Sequence, residues 1–167
     1  MAAVTLTGLA PLVSPATRVL ILGSFPGVRS LQAQEYYGHA QNQFWRVLEV
    51  IWPSSPDRIC ASSYEIRSKW LLERGLGVWD VYASCEREGS LDSAIRNAVP
   101  NDIAALHLPQ LQAIAHNGGE SFKHARHTRT VGVPVYQLPS TSPANASWSF
   151  ERKLAAWREV MERHGLV

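Results

Sequence analysis

Cysteine is nearly absent from this 167-residue chain. Cys60 and Cys85 can form at most one bridge, they show no CxxC spacing, and a four-cysteine zinc or iron–sulfur site is arithmetically excluded. A domain of this length buries about 70% of the surface its unfolded chain exposes, so it needs no such staple. A reducing compartment, the cytoplasm, is the expected location. Lysine is also scarce: of 16 cations only Lys69, Lys123 and Lys153 are lysines, the rest being arginines. The net charge of +2 permits contact with a polyanion without the basic excess of a nucleosome-type binder. Long apolar runs are missing. The opening MAAVTLTGLAPLVSP has no basic flank and is interrupted by Pro11 and Pro15, so neither a secretory signal nor a membrane span is expected. The Gly-Lys-Ser/Thr of a P-loop and the GxGxxG of a dinucleotide fold are absent too, which disfavours nucleotide cofactors. His124 and His127 stand at i,i+3 among Lys and Arg with no third ligand at a usable spacing, so no metal is expected.

What is present is an alternation of short apolar runs with helical patterns. Arg18-Val-Leu-Ile-Leu22, Gly77-Val-Trp-Asp-Val81, Leu111-Gln-Ala-Ile-Ala115 and Val133-Pro-Val-Tyr-Gln-Leu138 read as strands. Helices are expected from Phe44 to Trp52, from Tyr64 to Glu73, after Gly118-Gly119, and at the end of the chain. In the last of these, Phe150, Leu154, Trp157 and Val160/Met161 recur at helical spacing. Parallel strands need a crossover to return the chain, so this pattern predicts an α/β fold: a central four-stranded parallel sheet in a three-layer α/β/α sandwich. No repeat or low-complexity tract divides the chain, and Trp52-Pro-Ser-Ser-Pro56 reads as a loop between helices.

Ligands of such sheets bind at the carboxyl ends of the strands, which directs attention to four segments. After the first run comes Gly23-Ser-Phe-Pro-Gly27 and then Tyr36-Tyr-Gly-His-Ala-Gln-Asn-Gln-Phe-Trp45. Rigid turn, paired aromatics and amide suit a flat ring held by stacking and read at its edge. Equally, Asn42 could cap a helix starting at Gln43 while both tyrosines fill the core. After the second run, Asp80 could orient a water or simply tie down a loop before the polar run 84–90. After the third, Asn117 in His116-Asn-Gly-Gly119 could offer an acceptor and donors to a base edge, or occupy a left-handed turn. Beyond it Lys123, Arg126, His127 and Arg129 form either a phosphate track or a solvated face. After the fourth, Leu138-Pro-Ser-Thr-Ser-Pro-Ala-Asn-Ala146 is stiff and small, fit to press into a minor groove or to enter the final helix. Ser140 has no GxSxG elbow around it, which argues against a serine hydrolase.

Taken together and in order, these segments resemble the uracil-DNA glycosylase superfamily and, within it, the hypoxanthine-DNA glycosylase (deoxyinosine glycosylase) family. The resemblance covers nearly the whole chain and implies one glycosylase domain over 1–167. By it, the first loop is similar to the water-activating motif, but Phe25 stands where better-known members carry a catalytic Asp or Asn. The resemblance passes that role to Asn42, with Asp80 as the alternative. It places Tyr37 as the aromatic that stacks on the flipped base, with Gly23, Ser24, Phe25, Asn117 and Ser140 around the base. Ser140 replaces the His or Asn of uracil-specific relatives, which implies poor uracil excision. Ser142, Pro143, Ala144 and Asn145 correspond to the tip that enters the minor groove; Lys123 and Arg126 of the cationic cluster, by their place beside the strand ends, are expected on phosphates.

The implied reaction needs no cofactor. Breaking an N-glycosidic bond develops positive character on the sugar and negative charge on the base, so stacking, edge donors and an oriented water suffice. None of the three lysines lies on the four loops, so no Schiff-base amine is at hand and a monofunctional enzyme is expected. The expected partner is DNA carrying deaminated bases, met by a monomer. A uracil or mismatch glycosylase, a non-catalytic nucleic-acid module and a nucleoside hydrolase remain as other readings.

Overall fold

Strand β2 (Val19–Gly23) is wholly buried, and its side chains divide by alternation: Val19 and Ile21 enter one core, Leu20 and Leu22 the other. That two-sided burial is why the run is apolar throughout, as a central parallel strand must be. In the computed structural model, which describes residues 4–53 and 58–167, β2 lies between β3 (Leu76–Asp80) and β6 (Ala113–Asn117), and β7 (Val135–Leu138) pairs with β6. All pairings in this sheet are parallel, in the order β3-β2-β6-β7. The four-stranded parallel sheet read from the sequence is therefore present, with each strand's bounds shifted by one or two residues. The loop read at Trp52–Pro56 lies partly outside the described residues.

One face is covered by helices α2 (Phe44–Ile51), α3 (Tyr64–Glu73) and α6 (Phe150–Arg163). Helix α2 buries Phe44, Trp45, Val47, Leu48 and Ile51, a stripe of helical period, and α6 sends Trp157, Val160 and Met161 into the same core. Ser63 and Ser149 cap α3 and α6, their hydroxyls accepting from Ile66 N–H at 3.3 Å and Arg152 N–H at 3.2 Å. The other face carries an element that sequence reading missed. Strands β1 (Thr5–Thr7), β4 (Tyr82–Glu86) and β5 (Arg96–Pro100) form a small antiparallel sheet in the order β1-β4-β5. It packs around Leu20, Leu22, Phe25, Cys85 and Ile114, while the one-turn helices α4 (Gly119–Phe122) and α5 (Ala125–Thr128) follow β6. The helix expected after Gly118-Gly119 is thus broken into two single turns. His116, fully buried, holds both: its Nδ1 lies 2.7 Å from Ser121 Oγ and its Nε2 2.8 Å from Thr128 Oγ1. Burial brings its pKa down to about 4, so it is neutral.

Strand β2 has β3 on one side and β6 on the other: the chain runs from β2 outward to β3, then crosses back past β2 to β6 and on to β7. Such a switch point opens a crevice at the carboxyl ends of the strands. The residues that the register brings there are Gly23 opposite Asp80, and Asn117 opposite Leu138.

Candidate active site

The crevice is a cavity of about 1070 Å³, near the upper end for small-molecule sites and large enough for a nucleotide with adjoining backbone. Its walls include Gly23, Ser24, Phe25, Tyr37, Asn42, Asp80, Asn117, Ser140, Ser142, Pro143, Ala144 and Asn145. Every catalytic, base-binding and loop-tip candidate from the sequence therefore converges on one site. Lys123 and Arg126 do not line it. They stand behind Gly119, where Lys123 pairs with Glu120 at 3.1 Å.

Asp80 forms the floor. It is 5% exposed, and its Oδ2 is buried with no hydrogen-bond partner. The loop-tying alternative does not describe this carboxyl, because the loop contact at Asp80 is made by its main-chain carbonyl, which accepts from Asn101 Nδ2 at 2.8 Å. Gly23 is what allows the approach: a Cβ there would lie 2.5 Å from Asp80 Oδ1. Burial pushes the Asp80 pKa up to about 7. Neighbouring Asp92 adds to the rise and Arg87 opposes it.

Asn42 precedes α2 by two residues. Gln43, not Asn42, is the N-cap, yet Asn42 Oδ1 accepts from Phe44 N–H at 3.0 Å, so the amide helps start the helix while lining the cavity. No protein group among the described residues receives its Nδ2 protons. Tyr36 and Tyr37 part company. Both line the cavity, but Tyr36 is buried, donating its hydroxyl to Ala10 O at 2.7 Å, whereas Tyr37 adopts φ 55° and is only half-buried. Tyr37 stacks on Phe44 with ring centroids 4.0 Å apart, and its remaining face is the one left for a ligand. Burial, followed by Asp80, raises its pKa, so the phenol stays neutral.

Asn117 is not in a left-handed turn; the positive φ of this segment, 99°, falls on Gly118, with ψ near 170°. Its amide is clamped instead. Nδ2 donates to Tyr37 Oη at 3.2 Å and to Thr141 Oγ1 at 3.0 Å, and Oδ1 accepts from Thr141 N–H at 3.0 Å. Both donors are spent, which leaves one Oδ1 lone pair for a ligand. Thr141, fully buried, was not singled out from sequence, and nothing in a Ser/Thr-rich loop distinguishes it. Its carbonyl also accepts from Gln43 N–H at 3.0 Å, joining the last loop to the start of α2. Beneath that junction the buried Lys153 donates to Gln43 Oε1 at 3.0 Å. The tip is self-braced: Ser140 Oγ accepts from Ser142 N–H at 3.1 Å, and Asn145 Nδ2 donates to Ser140 O at 3.1 Å. Pro143 and Ala144 are left exposed at its end.

The first loop is held from outside by the segment after β4, which the sequence offered only as a polar run. Arg87 donates to Pro26 O at 2.7 Å with its guanidinium 5.3 Å from the Phe25 ring centroid. Ser90 Oγ accepts from Val28 N–H at 2.9 Å, and Ser24 donates to Asp92 Oδ1 at 2.6 Å. Asp92 is thereby a cavity residue that sequence reading missed.

The family model of the uracil DNA glycosylase superfamily matches residues 10–161. Two proteins named hypoxanthine DNA glycosylase are similar over most of their length. That of Methanosarcina acetivorans is 35% identical over 150 residues, 89% of this chain and 92% of its own. That of Methanosarcina barkeri is 33% identical over 158 residues, 93% of this chain and 98% of its own. A solution NMR structure from Methanosarcina acetivorans, assigned as a candidate uracil DNA glycosylase, superposes with a TM-score of 0.85 at 32% identity, covering 96% of this chain and 99% of that one. Matched along nearly its whole length in sequence and in fold, the chain belongs to the uracil DNA glycosylase superfamily.

Proposed function

We propose that the protein is a monofunctional DNA glycosylase that flips hypoxanthine out of DNA and hydrolyses its N-glycosidic bond, acting as a monomer in the cytoplasm. The observation that carries this reading is the buried, unpartnered Asp80 carboxyl in one cavity with Asn42 and Tyr37, in a chain whose relatives bear the name of that activity. In the reaction, Tyr37, backed by Phe44, stacks on the extruded base, with Phe25 and the main chain of Gly23 as walls and Ser140 at the base edge. The Asn42 amide orients a water towards C1′. As the water oxygen bonds to C1′, the C1′–N9 bond breaks, its electron pair passes to the base, and the water proton passes to ionised Asp80. The negative Asp80 also faces the positive character that develops on the sugar. No lysine lines the cavity, which supports hydrolysis without a Schiff base. Lys123 and Arg126 take phosphates outside the cavity, where they stand exposed. No helix among the described residues is long and apolar enough to cross a membrane.

The test is a panel of oligonucleotides with one lesion each, deoxyinosine, deoxyuridine, deoxyxanthosine or a G:T mispair, treated with enzyme and then alkali. Strand breaks at deoxyinosine after alkali but not before, with free deoxyinosine left intact, are expected. Breaks before alkali would make the enzyme a lyase, hydrolysis of the free nucleoside would make it a nucleoside hydrolase, and binding without breaks would leave a non-catalytic module. The exposed tip gives a second prediction. Replacing Pro143, Ala144 and Asn145 by glycine removes the wedge, and extrusion costs a few kcal/mol in a duplex but much less in a single strand. Duplex excision is expected to fall about tenfold more than single-strand excision. Equal losses would show that the tip only shapes the pocket.

A further inference from the structure

Asp92 is a cavity carboxylate that the reaction above does not use. It opens the short turn Asp92–Ala94 and lines the same walls as Asp80 and Asn117. Its Oδ1 takes the Ser24 hydroxyl at 2.6 Å, and no other protein group donates to this carboxylate among the described residues. Ser24 directly follows β2, and its carbonyl accepts from Tyr82 N–H at 3.2 Å, so the carboxylate is fixed to the end of the central sheet. Asp92 differs from Asp80 in access: Asp80, on the cavity floor beside Gly23, is 5% exposed, whereas Asp92 is exposed at the cavity wall. Asn117, also on the cavity wall, has both donors committed.

We propose that Asp92, held by Ser24, is the specificity-determining acceptor for the lactam N–H of the extruded base, an inference that rests on the glycosylase reading above. Deamination of adenine turns N1 from an acceptor into an N–H donor and replaces the 6-amino donors by an oxo acceptor. Desolvation at the cavity wall raises the Asp92 pKa and the Ser24 hydroxyl opposes the rise; once ionised, the carboxylate offers lone pairs only, so it accepts from N1–H of hypoxanthine and repels the N1 lone pair of adenine. Its remaining lone pairs therefore reject the undamaged base, which outnumbers the lesion along any DNA. The same logic extends to uracil against cytosine, whose N3 changes in the same sense, so Asp92 separates deaminated bases from their parents without ranking the deaminated bases. Ser24 is a positioning residue here: it occupies Oδ1 and turns the rest of the carboxylate to the ligand.

The experiment compares single-turnover excision of hypoxanthine and of purine, from deoxyinosine and 2′-deoxynebularine oligonucleotides, by the full chain and its variants. Deoxynebularine lacks the oxo group and keeps N1 as an acceptor. Asp92→Ala is expected to slow hypoxanthine release about 10- to 100-fold, the range of one charge-assisted hydrogen bond. Purine release, already slow in the wild type, should change by less than about threefold or rise. Asp92→Asn keeps an oxygen for the Ser24 hydroxyl and so preserves the loop, and it should show the same dependence on the base. It decides the matter if the alanine variant fails to fold. Equal slowing of both bases by Asp92→Asn would reduce Asp92 to a loop support and overturn the inference, as would unchanged hypoxanthine release. A wild-type enzyme inactive on deoxyinosine overturns the glycosylase reading itself. An active one with insensitive Asp92 variants overturns only the inference.

Discussion

Asn42→Ala is expected to lower single-turnover excision of hypoxanthine by about 100- to 1,000-fold, the usual loss when a positioned polar group is removed from a transition state. The fold should survive. Asn42 Oδ1 accepts one hydrogen bond, from Phe44 N–H at the start of α2, and loss of such a contact costs roughly 1 kcal/mol, a few degrees in melting temperature for a domain of this size. The two contributions separate in Asn42→Asp. The carboxylate keeps an acceptor for Phe44 N–H and favours a helix start, so stability should be retained, but it loses the amide protons, which no protein group among the described residues receives. If Asn42→Ala stays active with a lowered melting temperature, the residue serves only the helix start and the oriented water belongs to Asp80 alone.

The parallel sheet could be read from sequence because its strands are buried on two faces. Val19 to Leu22 and Ala113 to Ala115 are fully buried, and double burial leaves an unbroken apolar run as its trace. The antiparallel sheet left no such trace. Strand β5 is exposed along most of its length, ends in Pro100, and pairs with β4 through two register shifts, so neither alternation nor length betrays it. Its consequence for the site was equally hidden. The hairpin brings Arg87, Ser90 and Asp92 back over the first loop, and a contact between Ser24 and Asp92 spans 68 positions with no local pattern to announce it. The residues that were legible, Gly23, Asp80, Asn117 and Ser140, share one property: each closes a strand of the parallel sheet or, as Ser140, lies two residues past one, where the fold class alone says a ligand sits. Tyr37 and Asn42 lie further along the chain; the residues offered them only as one of paired aromatics and an amide, and the resemblance gave them their roles. Lys123 and Arg126 mark the opposite outcome, a charge cluster near a strand end that stays outside the cavity.

Asp80→Asn carries the second large effect, and it reads out in two independent ways. The folded-state pKa of about 7 lies above the ordinary value of 3.8, so between about pH 4 and pH 7 the folded protein holds a proton that the unfolded chain has lost. Stability contributed by this proton is therefore present in mild acid and is lost as pH rises through 7, by a few kcal/mol at most. The wild type should gain stability, relative to Asp80→Asn, as the pH is lowered from 8 to 5. The comparison with the variant matters because His124 and His164, whose pKa values burial lowers, act in the opposite sense as the pH falls and are common to both proteins. His116, neutral in the fold down to about pH 4, acts in that same sense because the unfolded chain takes up its proton near 6.5, and it too is common to both proteins. Activity should run the other way. A carboxyl that accepts the water proton must be ionised, so wild-type turnover rises with pH through about 7, where Asp80 loses the proton that stabilised the fold. Asp80→Asn removes the acceptor and should cost 100-fold or more in turnover, leaving a residual rate with no inflection near pH 7. A wild type whose stability tracks that of the variant at every pH would deny Asp80 its raised pKa. A variant that keeps the inflection would assign the proton transfer to another group.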